Sequence, residues 1–303
     1  MVRLSSAKIP GFRMVCAVLL VATAAWMIPV RALAQPDFEM LDGNSLVHAT
    51  LIAEQDAVRA GSTVDVGILL DIEPGWHTYW NGKNDTGFPV SVSFELPNGV
   101  RADALQWPVP KRHLQPGDIL DFVYEDKVLL ISTIHVPEGI GEVANLYVKA
   151  NVEWLVCKEA CLPGSAELET YIPITRGETE PPRSKHASLF AQMRETLPRK
   201  LPKPGTERAL EMELRWNDSS FLAVVPNAKI VRFFPGNKCA NLVSPIQDTE
   251  RRGEDLEVRL ETDQLKSDFR LQGVLSWEYP DGTKRMYMVD FPWGDTKGYA
   301  HPE

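Results

Sequence analysis

The chain has 303 residues, of which 32 are Lys or Arg and 41 are Asp or Glu, giving a net charge of −9. That acidity excludes the ordinary modes of binding nucleic acid or an anionic membrane surface, which recruit basic patches. The length exceeds one typical domain, and 23 prolines and 20 glycines punctuate short segments, as in an all-β protein.

The N-terminus sets the expected compartment. Arg3, Lys8 and Arg13 precede an apolar run from Val15 to Val30 that only Thr23 and Pro29 interrupt. Ala32-Leu33-Ala34 then offers small residues at a cleavage site. This is the pattern of a secretory signal peptide over residues 1–34, with a mature chain starting at Gln35. A membrane anchor is the alternative, since the run is about as long as a short span. No later segment is apolar enough to cross a bilayer, so the expected product is a soluble periplasmic protein that does not span the membrane. The first 34 residues hold four basic residues and no acidic ones, so the remainder is more acidic still.

Beyond the leader, short strands are predicted over 46–53, 64–72, 88–95, 118–124 and 127–135. The clearest alternation follows. Leu146, Val148, Ala150, Val152, Trp154 and Val156 are apolar, with Lys149, Asn151 and Glu153 between them. Ala166, Leu168, Ile172 and Ile174 repeat the pattern, so the two segments read as a hairpin joined by a loop from Cys157 to Ser165. About seven short strands suggest an immunoglobulin-like sandwich over residues 35–175.

Residues 176–207 read as a linker. Its first part is polar and proline-bearing, and Lys185 to Leu197 has helical spacing with Leu189, Met193 and Leu197 on one face. Residues 208–303 turn β-rich again, with strands predicted over 208–215, 220–225, 229–234, 255–261, 270–279 and 284–291. Pro280-Asp281-Gly282 marks a hairpin turn between the last two. The fold class is therefore all-β, two immunoglobulin-like sandwiches joined by a linker that carries a short helix.

Three cysteines follow the leader: Cys157, Cys161 and Cys239. In an oxidising compartment a close pair such as Cys157-Lys-Glu-Ala-Cys161 tends to oxidise. Three readings stay open for it. A redox pair fits, because a nearby second thiol resolves the mixed disulfide formed by the first. A structural staple fits less well, since closing so small a ring stabilises by only about 2 kcal/mol. A Cu(I) site is the third, because two thiolates suit a soft metal. There is no Met/His-rich tract, and no cofactor or resident metal is expected. Cys239 has no obvious partner.

Val152-Glu-Trp-Leu-Val-Cys-Lys-Glu-Ala-Cys-Leu-Pro-Gly-Ser-Ala-Glu-Leu168 resembles the active-site hairpin of the N-terminal periplasmic domain of the DsbD family. The resemblance is closer to the branch called suppressor of copper sensitivity protein B. Gly75-Trp-His-Thr-Tyr-Trp80, Asn84-Asp-Thr-Gly-Phe-Pro89, Trp107-Pro-Val-Pro110 and Phe233-Phe234-Pro235 are similar too, so the likeness covers most of the chain after the leader. It implies an immunoglobulin-like domain that takes electrons from a membrane-embedded partner. It implies delivery to periplasmic thioredoxin-like proteins, including disulfide isomerases and cytochrome c maturation factors. By position, Cys161 makes the mixed disulfide and Cys157 resolves it. A cap loop shields the pair in that family, and the matching stretch is Asp121-Phe-Val-Tyr-Glu125, with Phe122 and Tyr124 as shields or as ordinary core. Asp121 and Glu125 are expected to raise the thiol pKa, as is Glu159, while Lys158 opposes them. The cysteine spacing is tighter than in the best-known DsbD domains. No membrane-spanning or thioredoxin domain is present in these residues, so a separate membrane protein is expected to supply electrons. The rival from another class is a non-catalytic binding module with a static disulfide.

Overall fold

The computed structural model describes residues 42–177, 179–202, 212–218, 220–261 and 269–295. The predicted signal peptide, 1–34, lies outside the described residues. Among the described residues no helix is long and apolar enough to cross a membrane.

The first sandwich pairs two sheets. One runs Val47–Ala53, Thr63–Ile72, Lys127–His135 and Arg101–Ala102. The other runs Val58–Arg59, Cys161–Thr175, Asn145–Cys157, His77–Tyr79, Ile119–Glu125 and Lys111–Gln115, with Ser91–Glu95 also paired to the Asn145–Cys157 strand. The alternation that predicted the long hairpin decides its faces. Leu146, Val148, Ala150, Val152, Trp154 and Val156 are all buried against the opposite sheet, which contributes Val64, Val66, Ile68, Leu70 and Leu130. The second strand of the hairpin resumes at Cys161, so the connection is only Lys158–Ala160 and not the longer loop to Ser165 that the sequence suggested.

The linker does not hang free. Its backbone bonds to the first sandwich through Asp56 N–H to Pro182 O and Ser184 N–H to Glu54 O. The helix is Ala187–Arg194, shorter than the predicted span, and its core residue is Phe190. That ring is fully buried among Ile52, Leu69, Leu129 and Ile131, on the outer face of the four-stranded sheet, with Leu189 and Met193 beside it. Leu197 falls beyond the helix end. Arg194 fixes the helix by donating to Glu54 at 2.7 and 2.5 Å and to Asp65 at 2.5 Å. The Arg194 hydrogen bond holds the Glu54 carboxyl below its usual range.

The second sandwich pairs a five-stranded sheet with a three-stranded one. The first is Arg199–Lys200, Lys284–Pro292, Arg270–Glu278, Ile230–Pro235 and Glu250–Arg252; the second is Glu213–Asn217, Ser220–Val224 and Asp255–Arg259. Of the predicted strand over 208–215, residues 208–211 lie outside the described residues. Trp277, Phe221, Phe233 and Phe291 fill its core. Cys239 is a buried free thiol, which burial pushes up to a pKa of about 11. The predicted hairpin turn forms, with Gly282 at φ +86°.

The two sandwiches share a seam. Phe234 packs edge-on to Phe122 and Trp80, at centroid distances of 5.5 and 6.3 Å. Lys83 N–H donates to Pro235 O at 2.8 Å. Arg112, largely buried, donates to Ile246 O at 2.8 Å and Thr249 Oγ1 at 3.1 Å and pairs with Glu250 at 3.3 Å.

Phe190→Ala is expected to cost about 3–5 kcal/mol. A lowered urea midpoint, with the linker becoming protease-sensitive first, checks it; an unchanged midpoint denies that the helix is docked.

Candidate redox site

Cys157 ends one strand of the long hairpin and Cys161 begins the other, and the two are direct cross-strand partners. Their sulfurs form a disulfide with a Cα–Cα separation of 4.1 Å. The two residues differ sharply in access: Cys157 is 3 % exposed, whereas Cys161 is exposed.

Register extends the site beyond the hairpin. Cys157 is opposite His77, and His77 is opposite Glu125, so Cys161, Cys157, His77 and Glu125 form one row across four strands. Directly opposed residues share a face of the sheet. Tyr79, Val123 and Leu155 pack with Cys157 on that face. The Tyr79 hydroxyl lies 3.7 Å from Cys161 Sγ. Burial raises the Tyr79 pKa, so the phenol keeps its proton near neutrality.

Tyr79 is covered in turn by the loop that follows it. Gly87, at φ +64°, lies flat on the ring, and a Cβ there would sit 2.1 Å from Cζ. Asn84 Oδ1 accepts from Phe122 N–H at 2.8 Å and Asp85 Oδ2 from Leu120 N–H at 2.7 Å. These two side chains replace the strand that would otherwise pair there. The Asp121 carboxylate holds the same loop, accepting from Thr86 N–H at 2.8 Å and Thr86 Oγ1 at 2.5 Å, and also from Gln115 at 3.1 Å.

The structure divides the four predicted cap residues. They lie on the strand Ile119–Glu125, not in a loop, and adjacent strand residues face opposite ways. Asp121 and Glu125 share the face of Val123, toward the disulfide. Phe122 and Tyr124 face the core. Phe122 meets Phe234 and Trp80; Tyr124 stacks with Trp107 at 6.5 Å and donates to Pro108 O at 2.6 Å. Their aromatic character serves packing, and Val123 and Tyr79 hold the positions against Cys157. Lys111 donates to Glu125 at 2.8 Å and holds that carboxyl below its usual range.

The sequence reading missed His77, Tyr79, His113 and Phe88. The His113 ring lies 4.5 Å from that of His77. Phe88 is 76 % exposed and lines a groove of about 570 Å³ with Pro89, Trp154, Leu155, Pro163 and Gly164. Leu155 and Pro163 are opposed two residues along from the cysteines, so the groove opens beside the disulfide. Among the described residues no three His, Cys, Asp or Glu side chains converge as a metal site.

Residues 48–173, which contain this whole row, match the family model for the N-terminal domain of thiol:disulfide interchange protein DsbD. They form a domain of the DsbD N-terminal type. The fold of the longer chain is similar to that of the N-terminal periplasmic domain of ScsB from Proteus mirabilis, with a TM-score of 0.53, 14 % identity, and coverage of 83 % of this chain and 96 % of that one. The DsbD N-terminal domain of Neisseria meningitidis in its reduced form aligns at 14 % identity over 47 % of this chain and 95 % of its own, with a TM-score of 0.27. No curated protein matches the sequence significantly. The DsbD N-terminal domain here is thus a thiol–disulfide interchange module with its cysteine pair oxidised.

Gly87→Ala is expected to displace Tyr79 and speed reduction of the disulfide by dithiothreitol severalfold. Stopped-flow reduction rates check it; an unchanged rate removes Tyr79 as the cover.

Proposed function

We propose that the chain is an exported thiol–disulfide relay module acting in the periplasm. Its Cys157–Cys161 pair accepts electrons from a membrane-embedded donor and reduces disulfides of periplasmic thioredoxin-like proteins. The observation that carries this reading is the asymmetry of the pair: one sulfur at the surface, its partner beneath Tyr79, Val123 and Leu155. A static staple needs no such asymmetry. It also adds little here, because a ring of this size contributes about 2 kcal/mol to a hairpin already zipped by 13 opposed residue pairs.

The steps follow from exposure. In the reduced form the Cys161 thiolate attacks the disulfide of an acceptor, and one acceptor cysteine leaves as a thiolate. The Cys157 sulfur then attacks Cys161 Sγ, the mixed disulfide breaks, and the acceptor departs as a dithiol. Two electrons have moved, and Cys157–Cys161 is again oxidised, ready for the donor. The phenol of Tyr79, 3.7 Å from Cys161 Sγ, is placed to donate to the attacking or leaving thiolate. Lys158 is the nearest cation in sequence. The groove at Phe88 offers an apolar surface for the partner beside the reacting sulfur.

On this reading residues 35–175 are the redox domain, 176–207 the linker and 208–303 a spacing or docking domain, with residues 1–34 as the export signal.

The pair is expected to equilibrate between roughly −180 and −270 mV, the range of exchange proteins. A pair still oxidised well below about −300 mV overturns the relay in favour of a staple. After reduction, iodoacetamide should modify Cys161 well before Cys157, as read by peptide mass. Cys157→Ala should accumulate mixed disulfides with a thioredoxin-like acceptor, and Cys161→Ala should not; equal trapping by both variants reverses the assigned roles.

A further inference from the structure

The cross-strand row places one titratable side chain directly beside the buried cysteine. His77 is opposed to Cys157 in register and shares its face, where Cβ atoms of opposed residues stand about 4.5–5.5 Å apart. His77 is 3 % exposed, and its buried Nε2 makes no hydrogen bond. A buried polar atom left without a partner costs about 1–3 kcal/mol. Such an atom in a redox site calls for a role in another state of that site.

The resolving step supplies that role. Cys157 must lose a proton to attack, and water reaches it poorly. We propose that His77 Nε2 accepts the Cys157 thiol proton as Cys157 attacks the mixed disulfide at Cys161. This rests on the relay reading and deepens it. The Cys157 S–H bond breaks and its proton passes to His77. The Cys157 sulfur bonds to Cys161 Sγ as the Cys161–partner S–S bond breaks. The partner's sulfur leaves with the electron pair, and the imidazolium returns its proton to that thiolate or to solvent. Pairing a thiol with an imidazole is the general way to make a thiolate available near neutral pH.

The surroundings suit a base that charges only transiently. Burial, and then the neighbouring His113, hold the imidazole below its usual range, so it rests neutral. Asp121 and Glu125, from the adjacent strand, pull the other way and stabilise the imidazolium once formed. Lys111, from the edge strand, is engaged by Glu125, and Tyr79 on the same strand as His77 meets it edge-on at 5.4 Å and keeps its own proton. His77 thus faces one cysteine, one histidine, one phenol and two carboxylates.

The test uses His77→Gln, which keeps a polar side chain and removes the base. Closure of the mixed disulfide with a thioredoxin-like acceptor is followed by rapid quench from pH 5 to 9. The expected result is a loss of roughly a hundredfold at pH 7 that narrows as pH rises and solvent deprotonation takes over. Attack by Cys161 on the acceptor should be little changed. In the Cys161→Ala background, the pH midpoint for alkylation of Cys157 should rise when His77 is also replaced. An unaltered chain that fails to exchange sinks the relay reading and the resolving step with it, whereas an alkylation midpoint that ignores His77 in a chain that does exchange sinks the base alone. A third measurement needs no change at residue 77. In the reduced chain the His77 ring C–H resonance should titrate together with Cys157, and differently from the oxidised chain. Identical pH profiles with and without His77, or a His77 resonance indifferent to the redox state, overturn the proposal.

Discussion

Everything at the site follows from the register of one hairpin. Thirteen opposed pairs lock the strands Asn145–Cys157 and Cys161–Thr175, and the last pair is the cysteines themselves. A slip of one residue would turn Val152, Trp154 and Val156 out of the core and bring Cys157 in, so burial of one face specifies the position of the other. The same register hands Cys157 to His77 and, through it, to Glu125. The disulfide is therefore not placed by its own ring but by apolar residues on the reverse side of the sheet.

The hairpin Lys111–Gln115 with Ile119–Glu125 has a similar two-sided logic. Its front carries His113, Asp121, Val123 and Glu125, toward the disulfide. Its back carries Arg112, Phe122 and Tyr124, and two of these reach the second sandwich: Arg112 through Ile246, Thr249 and Glu250, and Phe122 through Phe234. The second sandwich thus braces the wall of a site to which it contributes no reacting atom. A mutation at Glu250 or Phe234 would be felt at the disulfide through this wall.

Much of the fold was legible because strict alternation survives in the sequence. The strand predicted over 127–135 is observed as Lys127–His135, and the long hairpin differs only in its shorter turn. The elements that escaped have no alternation to read. His77–Tyr79 is three residues between Pro74-Gly75 and Asn81-Gly82, too short to show a period. Lys111–Gln115 is a polar edge strand paired on one side. Both missed histidines lie on these two elements. The stretch expected as a cap is a strand, so its four residues divide between two faces, with Phe122 and Tyr124, read as shields or as ordinary core, on the core side. Residues 121, 122, 124 and 125 cannot all face one way along a strand, and aromatic character drew attention to the pair that faces the core. The close cysteine pair was visible in the sequence, with three readings open on spacing, while the packing of Tyr79 and Gly87 over it depends on the loop's path.

One sulfur of the pair is at the surface and the other is beneath it. If the module relays electrons as proposed, donor and acceptor must come to the same atom and cannot engage it at once. Traffic through such a relay would be ping-pong. An excess of either visitor would then occupy the form of the module that cannot react with it and slow the turnover it was meant to drive. The ratio of the two partners, more than the abundance of either, would set the flux.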